Sequence, residues 1–137
     1  MSTSGMLRPE TTYQSVIGRV IVKIRKDLAI EQGALAKEVF VTQSTWSRIE
    51  RGESSLTVEQ LARAAEFLRV KPSTILHETE KAVDSLEQQG VFVNKNKIAE
   101  NKSVGRNKTN QGVAMIGAAA LGALVATAIG KATNSDK

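Results

Sequence analysis

The sequence predicts an all-α fold, in which a compact five-helix bundle is followed by a basic, flexible linker and a C-terminal apolar helix. Three observations support this prediction. Apolar residues recur at the three- and four-residue spacing of a helix in successive segments between residues 13 and 89. Capping residues, a proline and a glycine stand at segment ends, as helix start and stop signals. The chain has 137 residues, of which 41% are hydrophobic, which suits one small domain with extensions.

The first two predicted helices lie before residue 42. One face of the first helix is apolar and consists of Ile17, Val20, Ile21, Ile24 and Leu28. The second helix covers residues 32–39, and its spacing directs Leu35, Ala36 and Val39 inward. Thr42 follows as a candidate N-cap, so a tight turn is expected between the second and third helices.

The other three helices have clear start signals. The third covers residues 43–51, and its spacing directs Trp46 into the core, which is favoured over a stacking role. Thr57 and Gln60 have the spacing of a capping box at the start of the fourth helix. Pro72 is suited to the first turn of the fifth helix, where its missing N–H is not needed.

These patterns divide the chain into five regions. They are a mobile arm (1–12), a helical domain with a C-terminal helix extension (13–89), a basic linker (90–111), an apolar helix rich in small residues (112–130) and a polar tail (131–137). Within the linker, residues 91–93 fit either a short strand or a hydrophobic plug.

Composition limits the chemistry that the chain can perform. There is no cysteine, so thiolate metal sites, disulfides and cysteine nucleophiles are excluded. His77 is the single histidine, which argues against a zinc site or a catalytic triad. We therefore expect no enzyme activity, no cofactor and no metal. The net charge of +5 favours an anionic partner, either nucleic acid or a lipid surface.

The most specific part of the sequence is the run Thr42–Gly52, which reads TQSTWSRIERG. Before it, Gly18 and Arg25 stand in the first helix and Gln32 opens the second. With apolar residues at matching positions on both sides, residues 17–76 resemble the helix-turn-helix domain of the Cro and lambda repressor family, also called the XRE family. The resemblance implies that the third helix enters the major groove of DNA.

The resemblance also implies a role for each polar residue. Gln32 would bond a phosphate oxygen, although a solvated residue at a helix start is the alternative. Gln43 would pair with N6 and N7 of adenine. Four further polar residues would complete the surface: Ser44 and Thr45 at base edges, and Ser47 and Arg48 at bases or flanking phosphates.

Other positions concern the structure of the domain. Arg25 and Glu50 stand where the family has an ion pair, which implies a structural role. Ala29 and Phe40 stand where the family often has glycine, so a reshaped turn is expected if Phe40 needs a positive φ. Glu31 replaces the usual serine cap and places negative charge near the expected phosphate.

The apolar C-terminal segment is a second signal. Small residues occur at every fourth position: Ala114, Ala118, Gly122, Ala126 and Gly130. Such a face lets helices approach closely in membranes. A helix over residues 113–129 would reach about 26 Å, short of the roughly 30 Å hydrocarbon layer. Three interpretations stay open: a membrane-associated or spanning tail, an oligomerisation or partner-docking helix, and disorder.

Together these patterns favour a sequence-specific DNA-binding transcriptional regulator. Its partners would be double-stranded DNA and a second copy of the chain, which pairs through the fifth helix or the tail. We expect it in the cytoplasm, with the tail as a candidate tether to the inner membrane. One alternative is a membrane-tethered interaction or scaffold protein that uses the same fold to bind a protein. A weaker alternative is the antitoxin of a toxin pair.

Overall fold

The structure is a computed structural model that describes residues 8–96, 113–117 and 120–126, with the backbone alone for residues 113–115. Its main part is a bundle of five helices: α1 (Tyr13–Asp27), α2 (Gln32–Glu38), α3 (Gln43–Glu50), α4 (Val58–Phe67) and α5 (Pro72–Gln88). This bundle confirms the predicted helical fold, in which a short turn joins α2 to α3. Residues 120–126, the tail helix, are helical as well.

The predicted start signals of the helices are confirmed. The Thr42 hydroxyl caps α3 by accepting a hydrogen bond from the backbone N–H of Thr45 at 3.1 Å. Thr57 and Gln60 form the capping box of α4, with N···O distances of 2.9 and 3.0 Å. The first residue of α5 is Pro72. Local side-chain bonds therefore set where α3 and α4 begin.

The core lies between the inner faces of the helices. Trp46 is 0% exposed, which confirms its predicted place there. Gly18 lets α1 approach α3, because a Cβ on Gly18 would collide with the backbone carbonyl of Glu50. Leu28, the last residue of the predicted apolar face of the first helix, is 49% exposed. Leu28 is the C-cap of α1, where the backbone leaves the helix and the helical spacing no longer applies.

A small parallel sheet is the main difference from the all-α prediction. Its strands are β1 (Arg8–Thr12), β2 (Phe92–Asn94) and β3 (Val113–Met115), in the order β2-β1-β3. Glu10 lies opposite Phe92 on one side, and Arg8 lies opposite Val113 on the other. Residues 8–12 of the predicted mobile arm are thus the central strand, and β2 corresponds to the strand interpretation of residues 91–93.

The C-terminal segment is not one continuous helix from 112 to 130. Residues 113–115 form a strand whose backbone bonds are made to β1, and Ile116 N donates to Glu10 O at 2.9 Å. Helical bonding starts only afterwards, where Leu121 N donates to Gly117 O at 3.0 Å. Leu121 and Val125 are each 1% exposed and belong to the core of the domain. The tail helix therefore packs on its own domain.

Parts of the predicted regions lie outside the described residues. These parts are 1–7, 97–112, 118–119 and 127–137, which include most of the basic linker and the end of the tail. Within the ranges that the structure does describe, no helix combines the length and apolar character needed to cross a membrane.

Among the residues that the structure describes, three non-glycine residues have a left-handed backbone: Ala29 (φ 55°), Phe40 (φ 62°) and Arg69 (φ 58°). Phe40 lies in the turn between α2 and α3 and is 76% exposed. The turn keeps the left-handed conformation in spite of the aromatic side chain. The ring extends into solvent. Arg63 stacks on it, with the guanidinium carbon 4.6 Å from the ring centroid.

Ala29 offers a test of the strain at such positions. We expect Ala29→Gly to raise the free energy of unfolding by about 0.5–1 kcal/mol, because the left-handed strain it removes exceeds the extra chain entropy of glycine. Ala34→Gly, at an exposed position inside α2, should lower it by about as much. Urea unfolding followed by circular dichroism measures both. Destabilisation of similar size in the two variants would show that Ala29 is not strained.

Candidate nucleic-acid interface

The short helix α3 has a buried and an exposed side. Trp46, Ile49 and Glu50 are buried against the rest of the bundle. Gln43, Ser44 and Arg48 are exposed on the opposite side, and Ser47 lies between them, half-buried. Residues 43 and 44 stand three to five positions before residues 47 and 48, about one helical turn, so the two pairs share one face of the helix. The structure thus brings four of the six predicted site residues together on one surface.

The other two predicted site residues have bonds that the sequence did not predict. The Thr45 hydroxyl accepts a hydrogen bond from the Thr42 hydroxyl at 2.9 Å and is half-buried, so it belongs to the cap of α3. Gln32, the first residue of α2, is half-buried, and its Nε2 donates to Glu50 Oε1 at 2.7 Å. One N–H of the Gln32 amide is therefore committed to an internal partner.

The Glu50 carboxylate is the centre of a buried polar cluster. Arg25 donates to it twice, from Nε to Oε2 at 2.9 Å and from Nη2 to Oε1 at 3.1 Å. The indole Nε1 of Trp46 donates to Oε2 at 2.9 Å, and Gln32 supplies the fourth bond. Glu50 is 1% exposed, so this carboxylate is fully satisfied within the protein. The ion pair that the family resemblance implies is present.

This cluster fixes three helices relative to one another. Arg25 belongs to α1, Gln32 to α2, and Trp46 and Glu50 to α3. A buried, fully paired carboxylate tolerates little displacement of its partners, because each lost bond leaves a polar group without water. The exposed face of α3 is consequently held at a set angle to the start of α2.

A second contact holds the C-terminal end of α3. Arg19 on α1 donates from Nε to the backbone carbonyl of Glu50 at 3.0 Å, and its Nη2 donates to the same oxygen. Burial lowers the pKa of the Arg19 guanidinium, although the negative charge of Glu50 opposes this. The sequence contained no signal for Arg19. For Trp46, its position four residues before Glu50 could have indicated the contact.

The tail helix lies on the α1 side of the domain. A Cβ at Gly122 would be 3.7 Å from Cδ of Arg19, the residue that holds the C-terminal end of α3. Gln43, Ser44 and Arg48 are exposed with the tail helix in this position. The described part of the C-terminal segment thus leaves the outer face of α3 open to solvent.

Comparisons with known proteins agree with this architecture. Residues 17–77 match a protein family described as "Helix-turn-helix domain". The crystal structure of the clp gene regulator ClgR from Corynebacterium glutamicum is similar, with a TM-score of 0.56 and 23% sequence identity. The match covers 59% of this chain and 86% of that one, and at this identity it shows a shared fold. No curated protein sequence matches the chain.

Proposed function

We propose that the helix-turn-helix domain formed by residues 17–77 binds double-stranded DNA and acts as a sequence-specific transcriptional regulator. The observation that carries the proposal is the exposed polar face of α3, which is anchored from behind by Trp46 and Glu50. An α-helix fits the major groove of B-DNA, and a short helix with polar side chains on one side can reach base edges there.

The side chains on this face suit base recognition. Gln43 can donate and accept at once, which matches the N6 and N7 atoms of adenine. Arg48 can bind guanine O6 and N7 or a phosphate, and Ser44 and Ser47 can bond to either class of group. Gln32, which donates one amide hydrogen to Glu50, has a second with which to bind a phosphate oxygen.

The assembly and location of the protein belong to the proposal. One such domain reads a short half-site, so a homodimer on a two-fold symmetric operator is expected, with α5 or the tail as its contact. A regulator of this kind works in the cytoplasm, in contact with the chromosome. The gene-regulator role of the structural neighbour supports this interpretation.

The test is selection of bound sequences from a random pool of DNA duplexes, followed by fluorescence anisotropy with the selected and a scrambled duplex. We expect Gln43→Ala to weaken binding to the selected duplex about 5- to 150-fold and to leave the scrambled duplex nearly unaffected. If Arg48 binds a phosphate, Arg48→Ala should weaken binding to both duplexes. It should also lower the slope of the logarithm of the binding constant against the logarithm of the salt concentration by about 1. Enrichment of no sequence at low salt would contradict the proposal.

Arg63→Ala is the matched control for charge, because Arg63 is an exposed arginine on α4 that contacts Glu59 and the exposed ring of Phe40. This variant removes the same charge from outside the proposed interface, and it should change the affinity for neither duplex by more than about twofold. The scaffold alternative predicts a different pattern, in which Gln43→Ala and Arg48→Ala leave the cellular function intact.

A further inference from the structure

From the packing between α2 and α3, we infer that Gly33 is a positioning residue that determines DNA sequence specificity through Gln43. The inference rests on the proposed function. Gly33 is the second residue of α2, and the side-chain amide of Gln43, at the start of α3, lies over it. A Cβ at Gly33 would be 3.2 Å from Oε1 and 3.6 Å from Cδ of Gln43. Because Gly33 has no side chain, the Gln43 amide can lie against α2 at this position.

The backbone conformation does not explain a glycine at this position. Gly33 lies inside a helix and does not have a positive φ, in contrast to Gly52 (φ 78°). Alanine is the more favourable residue in a helix, since it restricts the unfolded chain and exposes less backbone. The close approach of Gln43 is the structural feature that distinguishes Gly33 from the exposed Ala34 beside it.

The added methyl group of an alanine would have to displace the Gln43 amide. The start of α2 is held by the bond from Gln32 to the buried Glu50, so α2 is not free to move away. The Gln43 amide is the end of a flexible side chain and can shift at little cost to stability. A contact at 3.2 Å requires the amide to move by a few tenths of an ångström or to take another rotamer. A bidentate pair with adenine requires both amide atoms in place. The shift therefore affects recognition and leaves the fold intact.

The experiment is a double-mutant cycle with Gly33→Ala, Gln43→Ala and the combined variant. The measured quantity is the ratio of the dissociation constants for a scrambled and a selected duplex. We expect Gly33→Ala to reduce this ratio at least fivefold, because the bidentate contact is worth about 5- to 150-fold. In the Gln43→Ala background the same change should have no further effect, because the two residues act through one contact. Thermal unfolding of Gly33→Ala should occur at the wild-type temperature or above.

Two controls complete the design. Gly117→Ala adds a methyl group that would meet no described atom within 4 Å, and it should leave the ratio unchanged. In ¹H–¹⁵N spectra of the free protein, the side-chain amide signals of Gln43, identified by their loss in Gln43→Ala, should shift in Gly33→Ala. These spectra test the contact without DNA.

The possible outcomes separate the two proposals. If no DNA sequence is selected, the regulator proposal fails, and the specificity role of Gly33 fails with it. If sequences are selected but Gly33→Ala keeps the wild-type ratio within twofold, only the inference about Gly33 is overturned. The inference would also be overturned if Gly33→Ala reduced the ratio of dissociation constants equally in the presence and in the absence of Gln43, since Gly33 would then act through another contact.

Discussion

Glu50→Ala is expected to lower the free energy of unfolding by about 3–5 kcal/mol. The substitution leaves the guanidinium of Arg25, whose side chain is 10% exposed, without its ionic partner. It also removes the acceptor for the indole N–H of Trp46 and for the amide of Gln32. Small domains are stable by only about 5–15 kcal/mol, so a large part of the stability would be lost. Urea unfolding at low temperature, followed by circular dichroism, measures the change.

Glu53→Ala is the matched control for this prediction. Glu53 also pairs with an arginine, since Arg51 Nη2 lies 3.1 Å from its Oε2, but both side chains are about half exposed. Removal of an exposed ion pair should cost about 0–1 kcal/mol. If Glu50→Ala were as mild as Glu53→Ala, the polar cluster would not be what holds α1, α2 and α3 together.

Leu121→Ala is expected to lower the free energy of unfolding by about 2–5 kcal/mol. Leu121 is 1% exposed and packs into the core of the helical domain from the tail helix. A cavity and a loss of buried apolar surface would result from its truncation. Denaturant unfolding of the full-length chain tests this directly, and the midpoint should fall in a single transition shared by α1–α5.

The control for the tail is Ala120→Ser, at an exposed position of the same helix. It should change the stability by less than about 0.5 kcal/mol. If Leu121→Ala left the stability of the bundle unchanged, the tail helix would not be part of the domain, and a lipid or partner role for this segment would gain support. Fractionation of cells that produce each variant then shows whether the protein collects with membranes.

Local patterns were sufficient to predict the bundle. Thr42 and Thr57 mark helix starts by accepting hydrogen bonds from the backbone three residues on, and Pro72 marks one because no N–H is needed in the first turn. Such short-range chemistry can be predicted from a sequence. The burial of Trp46 followed from helical spacing. The exposed face of α3 could be predicted for the same reason, because it is the side opposite the apolar one.

The features that sequence patterns missed depend on distant partners. The strand β1 is short, and its neighbours come from residues 92–94 and 113–115. No pattern near β1 in the sequence indicates which segments pair with it. The bond from Gln32 to Glu50 joins residues 18 positions apart. The space that Gly33 leaves for Gln43 likewise depends on how α2 and α3 meet, which helical spacing alone does not specify.

The parallel strand β1 has a consequence for how the protein folds during synthesis. Both of its neighbours are made late: β2 follows the whole bundle, and β3 begins at Val113. A ribosome adds about 5–20 residues per second, so β1 waits for several seconds before its second edge can be covered. The helices depend mainly on nearer segments and can assemble first, whereas contacts between distant segments form slowly. Closure of the sheet is thus the natural final step of folding, and it joins residues 8–10 to residues 113–115.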